Sequence, residues 1–93
     1  MKIHVKIFAT LRLKIGLASL DIETNSVITI LQLLKMISRQ VNYDVIPELI
    51  ENNEVRVGTI ILIDGKNILH AQKLDTKIEK ICKVEIFPPV GGG

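Results

Sequence analysis

Along residues 2–8 apolar and polar side chains alternate, with Ile3, Val5 and Ile7 on one face and Lys2, His4, Lys6 and Phe8 on the other. A period of two over that length predicts a strand buried on one side. Residues 18–23 alternate again, and Gly16 marks the turn or loop between the two stretches, so the pattern predicts a hairpin. At Ser26 the period changes. Val27, Ile30, Leu31, Leu34 and Ile37 recur at helical spacing, Leu33 and Met36 widen the apolar arc, and Gln32, Lys35 and Arg39 lie off it. Ser26 is the expected N-cap, its hydroxyl accepting from a backbone N–H that has no partner inside the helix, and Asn42 is the expected end.

Residues 43–53 carry no clear period. Pro47 forbids a helix centred on it but permits a short one whose first turn holds it, running to Ile50. Residues 55–63 read as a strand, strongest at Ile60-Ile61-Leu62-Ile63, and the turn pair Asp64-Gly65 comes next. Residues 68–78 read as loop with a short strand. Residues 83–87 form the last strand, with Val84 and Ile86 inward, and Pro88-Pro89 ends it because neither residue can donate to a ladder. This order predicts an α+β fold: a mixed sheet with one main helix packed across one face.

Ninety-three residues make one domain, and a chain this short needs a dense core. Hydrophobic residues make up 47% of it, 16 of them isoleucine, which meets that need. Twelve basic against ten acidic residues leave a net charge of +2, too little for a nucleic-acid or membrane surface. Three aromatics (Phe8, Tyr43, Phe87) give bases almost nothing to stack on. The lone Cys82 excludes an internal disulfide and reads as a small hydrophobe, and His4 and His70 do not complete a metal site. There is no membrane-length apolar run and no signal-like apolar core at the N-terminus, so a cytoplasmic chain is expected. No spacing assembles a catalytic triad or a carboxylate pair, so the chain is expected to be no enzyme by itself.

The informative motif is Phe87-Pro88-Pro89-Val90-Gly91-Gly92-Gly93. Residues 1–87 are read as the domain and residues 88–93 as an extended functional tail. Two prolines hold the chain extended as it leaves the sheet, and three glycines come after them with nothing to pack. Six residues reach about 20 Å at full extension, and a segment without side chains can enter a channel that any Cβ would block. Its reactive group is the carboxylate of Gly93, ionised at neutral pH and inert until activated, most simply as a mixed anhydride with AMP. A sulfur donor then gives a thiocarboxylate, or an amine an isopeptide.

The chain resembles the ubiquitin-like β-grasp sulfur carriers of the MoaD/ThiS family, above all the small subunits of molybdopterin synthase. Phe8-Ala9-Thr10-Leu11-Arg12 is similar to the family's F-A-x-L-R, and Ser26-Val27-Ile28-Thr29-Ile30-Leu31 to its T-V-x-x-L-L. Leu74-Asp75-Thr76, with Ile86-Phe87-Pro88-Pro89-Val90-Gly91-Gly92, resembles its L-D-T and I-F-P-P-V-x-G-G. The resemblance implies a β-grasp fold and a Gly93 that is adenylated and then thiocarboxylated, with Gly91 and Gly92 as the channel segment. It implies three partners: a ubiquitin-activating-like adenylyltransferase that uses ATP, a sulfur donor, and the large subunit of molybdopterin synthase. No cofactor is expected on the chain itself. Carriers for thiazole synthesis or tRNA thiolation, a ubiquitin-like modifier that forms isopeptides, and a plain interaction module are the competing readings. Val55-Arg56-Val57-Gly58 is faintly similar to the ubiquitin-related modifiers of tRNA thiolation.

Strand parity also points to a surface. If Ile3, Val5 and Ile7 face the helix, Phe8 and Phe87 face away, together with one pair from residues 60–63. That leaves an apolar patch rimmed by Lys2, Lys6 and Lys83, the expected partner interface, comprising Phe8, Phe87, Pro88, Pro89 and Val90. The alternative is a sheet covered by residues 43–53. Arg12 comes soon after Phe8 and is read either as a partner for a carboxylate or as a solvated loop residue.

Overall fold

The computed structural model describes residues 1–89. Strands β1 (Lys2–Ile7) and β2 (Ser19–Glu23) pair antiparallel, as the alternation predicts, with Ile3 opposite Ile22 and Val5 opposite Leu20. Between them, however, lies a helix, α1 (Ala9–Ile15), ended by Gly16, whose N–H donates to the Arg12 carbonyl at 2.9 Å. The expected loop is therefore a hairpin connection with a helical turn in it, and Leu11 is its one buried residue.

After β3 (Ile28–Thr29), the main helix α2 (Ile30–Val41) begins three residues later than expected. Its N-cap is Thr29, not Ser26. The Thr29 hydroxyl accepts from the Gln32 N–H at 3.2 Å, and Gln32 Oε1 accepts from the Thr29 N–H at 2.8 Å. This reciprocal pair satisfies two backbone donors, which Ser26, with Thr29 at its third position, has no side chain to match. Val27 accordingly lies outside the helix and is 52% exposed. The buried stripe is Ile30, Leu33, Leu34 and Ile37, and Leu31 sits half-buried at its margin. Asn42 ends the helix at φ 55, a left-handed position that asparagine tolerates.

A short helix α3 (Ile46–Leu49) carries Pro47 in its first turn and leads into a hairpin of β4 (Ile50–Glu51) and β5 (Glu54–Val55). The long strand expected over residues 55–63 is thus two pieces: β5 and, after a turn, β6 (Ile60–Ile63). Asp64 and Gly65, both at positive φ, turn β6 into β7 (Lys66–Asn67), the turn that matches strand twist. Two 3-10 turns at Ile68–His70 and Lys73–Asp75 precede β8 (Lys77–Ile78), and β9 (Cys82–Phe87) closes the fold.

The sheet order is β2-β1-β9-β6-β7, with first and last strands parallel at the centre and every other pairing antiparallel. Ile3, Val5 and Ile7 line up with Cys82, Val84 and Ile86, all buried against α2. A helix held across a mixed sheet whose first and last strands meet in the middle is the β-grasp. No helix among the described residues is long and apolar enough to cross a membrane.

Candidate functional site

The outward parity of the central strands builds the site. Beyond β1, Phe8 donates its N–H to the Ile86 carbonyl at 3.1 Å, so its ring emerges beside Phe87. The rings stack with centroids 4.2 Å apart and planes 12° from parallel, as offset aromatic pairs do. Ile60 pairs opposite Phe87 and is 42% exposed, and Leu62, opposite Glu85, is the second outward member of β6. Lys6 stands opposite Glu85 and Lys83 opposite His4, while Asp21 and Glu23 of β2 stand opposite His4 and Lys2, so cations and carboxylates together flank the apolar row. Lys83 Nζ lies 3.8 Å from Glu85 Oε1, and His4 Nδ1 lies 2.7 Å from Asp21 Oδ1 on β2.

Nothing from residues 43–53 covers this face. Val45 and Leu49 are buried in the core on the other side, and the Val45 N–H donates to Ser38 Oγ of α2 at 3.0 Å. Ala9, next after Phe8, holds φ 56, an uncommon conformation for a residue with a Cβ, and turns the chain from the sheet into α1. Arg12 is exposed on α1, one turn from Phe8, and makes no ion pair among the described residues.

The tail leaves from the same edge. Pro88 is buried and Pro89 half-buried. Continuing the pairing of Ile60 with Phe87 by two residues sets Gly58 opposite Pro89, and a Cβ on Gly58 would lie 3.5 Å from Pro89 Cβ. Of the expected site residues, Phe8, Phe87 and Pro89 come together, joined by Ile60, Leu62 and Gly58, whereas Pro88 follows the inward parity of Val84 and Ile86 and is buried, so it is not part of the exposed face. Gly58 has no signature of its own in the pattern along the chain. Its signal is the antiparallel register, which needs the structure. Val90, Gly91, Gly92 and Gly93 lie outside the described residues.

Cys82 is 8% exposed, and burial, with Asp64 adding to it, pushes its thiol up against the opposing pull of Lys80. A thiol shifted that way, at a buried position of β9, has the character of a small core hydrophobe.

A second polar cluster ties α1 to α3. Lys14 Nζ donates to both Glu48 carboxylate oxygens at 3.0 and 3.1 Å, and the Tyr43 hydroxyl donates to Glu48 Oε2 at 2.9 Å. The Lys14 bond, then that of Tyr43, holds the Glu48 carboxyl below its usual range, and Glu48 raises both donors. A lowered carboxyl stabilises the fold above its unfolded pKa and loses that contribution as pH falls through the folded one. The raised Lys14 and Tyr43 contribute below their unfolded values and lose it as pH rises. The clasp is therefore complete only between the carboxylate and the phenol ranges. In thermal melts Glu48→Gln lowers the melting temperature slightly at neutral pH, as an exposed pair should, and the difference from wild type vanishes in acid. A difference that persists below the carboxylate range contradicts this assignment.

The ThiS family model matches residues 5–93. Small archaeal modifier protein 3 of Haloferax volcanii is 30% identical over 94 aligned residues, with all of both chains covered. Among solved structures, small archaeal modifier protein 1 from Methanosarcina acetivorans superposes with a TM-score of 0.76 at 25% identity, covering 99% of this chain and 96% of that one. A Pyrococcus furiosus chain, provisionally named molybdopterin converting factor subunit 1, matches with a TM-score of 0.72 over 97% of this chain and 99% of its own. At 22% identity that last likeness is one of fold. The match from residue 5 to residue 93, with a relative aligned end to end, shows that the chain belongs to the ThiS family of ubiquitin-like carriers and modifiers.

Proposed function

We propose that this chain is a sulfur carrier whose Gly93 carboxylate is adenylated and then thiocarboxylated, and that it delivers sulfur to the pterin precursor of molybdopterin as the small subunit of molybdopterin synthase. The observation that carries the reading is the apolar row of Phe8, Phe87 and Ile60 at the place where a proline-stiffened, glycine-ended segment leaves the sheet. A ubiquitin-activating-like adenylyltransferase grips that row and threads residues 88–93 toward its ATP. The carboxylate attacks the α-phosphorus and expels pyrophosphate. A sulfur donor at the hydrosulfide level then displaces AMP, and the thiocarboxylate passes to the large subunit, against which the same row docks.

A protein-modifier role is the second reading, favoured by the 30% identity to a small archaeal modifier protein along the full chain. The chemistry of the two is the same up to the activated carboxyl, and the acceptor separates them. The test offers the activated chain both acceptors: the synthase large subunit with its pterin precursor, and lysine-bearing protein. Intact-mass spectra showing oxygen replaced by sulfur at the terminus, consumed when large subunit and precursor are added, support the carrier. Lysine-linked adducts as the sole product overturn it.

The docking surface has its own test. Phe8→Asp weakens the complex with the activating enzyme about 30-fold, the size of a hot spot of about 2 kcal/mol. The fold loses only the outward stack, about 0.5–1.5 kcal/mol. A folded variant with unchanged affinity removes this surface from the mechanism.

A further inference from the structure

Residues 43–58 are anchored to the rest of the fold at several points. Val45 and Leu49 are 1% and 0% exposed in the core. Ser38 Oγ of α2 accepts from the Val45 N–H at 3.0 Å, and Glu48 binds Lys14 of α1 and Tyr43. The β4–β5 hairpin turns through Asn52 and Asn53, both left-handed, and the Arg56 N–H returns to the Leu49 carbonyl at 2.8 Å. The Thr59 N–H donates to the Arg56 carbonyl at 3.0 Å, which closes a turn over residues 56–59. At its apex Gly58 holds φ +92 and lies alongside Pro89, close enough that a Cβ added there would sit 3.5 Å from Pro89 Cβ.

We infer that residues 43–58 are a bracket that sets the direction in which the C-terminal segment leaves the sheet, with Gly58 the positioning residue at its end. The inference rests on the carrier reading above. Two features make the contact directional. The prolines cannot pair with the β6 extension through N–H groups, so side-by-side packing is what remains to aim the chain there. The ring of Pro89 also fixes its own φ, so a neighbour on one side of it narrows the directions in which the chain can continue. A tail aimed correctly reaches the reacting phosphorus with its carboxylate in line, and about 1 Å of misplacement lowers such rates by up to about 100-fold.

The experiment reads the contact and the chemistry separately. In the free wild-type protein a nuclear Overhauser effect joins Gly58 Hα to the Pro89 ring. Gly58→Val, a branched side chain at strongly positive φ, rearranges the turn and abolishes that signal, whereas Gly58→Asn, which tolerates left-handed geometry, keeps it. In ATP–pyrophosphate exchange with the activating enzyme, kcat for Gly58→Val falls about 10–100-fold while KM for the carrier stays within about twofold, because the Phe8 row still docks. Gly58→Asn restores most of kcat. Pro89→Gly, beyond the last strand and harmless to the core, lowers kcat in the same way, and the double variant is no worse than the poorer single one, since both remove one contact. Unchanged kcat in a Gly58→Val protein whose Overhauser signal is gone, or a rise in KM alone, overturns the bracket. Failure of the wild-type chain to be adenylated overturns the carrier reading, whatever the Gly58–Pro89 signal shows.

Discussion

A chain lengthened by one residue after Gly93 is expected to fold and melt like wild type and to lose adenylation. The core cluster ends at Ile86, and beyond it only Pro88 is buried among the described residues, so the described core is left as it is. What it moves is the carboxylate proposed to react, by about 3.3–3.6 Å along an extended chain. In-line attack on phosphorus needs the two atoms about 3–3.5 Å apart, so a displacement of that size leaves no productive geometry. Gly92→Val acts differently toward the same end: it keeps the length and puts branched bulk and a restricted backbone into the segment proposed to thread the activating enzyme. Both variants should fall to background in ATP–pyrophosphate exchange, with no thiocarboxylate in intact-mass spectra and melting curves superimposable on wild type. Efficient thiolation of the lengthened chain without trimming shows that Gly93 is not the reacting end.

Where the pattern along the chain is strict, it is sufficient. Alternation in β1 and β9 separates Ile3, Val5, Ile7, Val84 and Ile86 from Phe8 and Phe87, and the structure stacks the two outward rings on each other. Their adjacency is not legible, because parity gives a face but not a neighbour. It comes from the parallel β1–β9 register, a long-range pairing that no local period encodes. Helix α1 escapes the pattern for a different reason: a seven-residue helix with Leu11 as its single buried residue has no apolar stripe, and Leu13, 81% exposed, adds an apolar position that is not core. The start of α2 is legible, but not at Ser26. Thr29 with Gln32 three residues on is a capping box, a stronger signal than the lone hydroxyl of Ser26. The bracket of residues 43–58 cannot be read from the chain, because its anchors lie on α1 and α2, and its end meets a proline thirty-one positions further along, from Gly58 to Pro89.

The observed phase of α2 has a measurable consequence, since it distinguishes two leucines that the spacing alone treats alike. Leu34 is fully buried, facing the sheet beside Ile30, Leu33 and Ile37. Leu31 is half-buried and lines an open cleft with Val55, Leu69 and Leu74, and Leu69 is itself 47% exposed. Truncating Leu34 to alanine removes apolar contacts and leaves a void that packed neighbours cannot collapse into, a loss of about 2–5 kcal/mol. Small domains have only about 5–15 kcal/mol in all, so Leu34→Ala should lower the melting temperature by on the order of 10–30 °C. Leu31→Ala opens its gap to water instead of leaving it empty, and the loss is the transfer of part of one side chain, about 1 kcal/mol. Urea titrations of the two variants, with slopes unchanged from wild type, give both numbers on one scale. Equal losses at the two positions place Leu31 in the core after all.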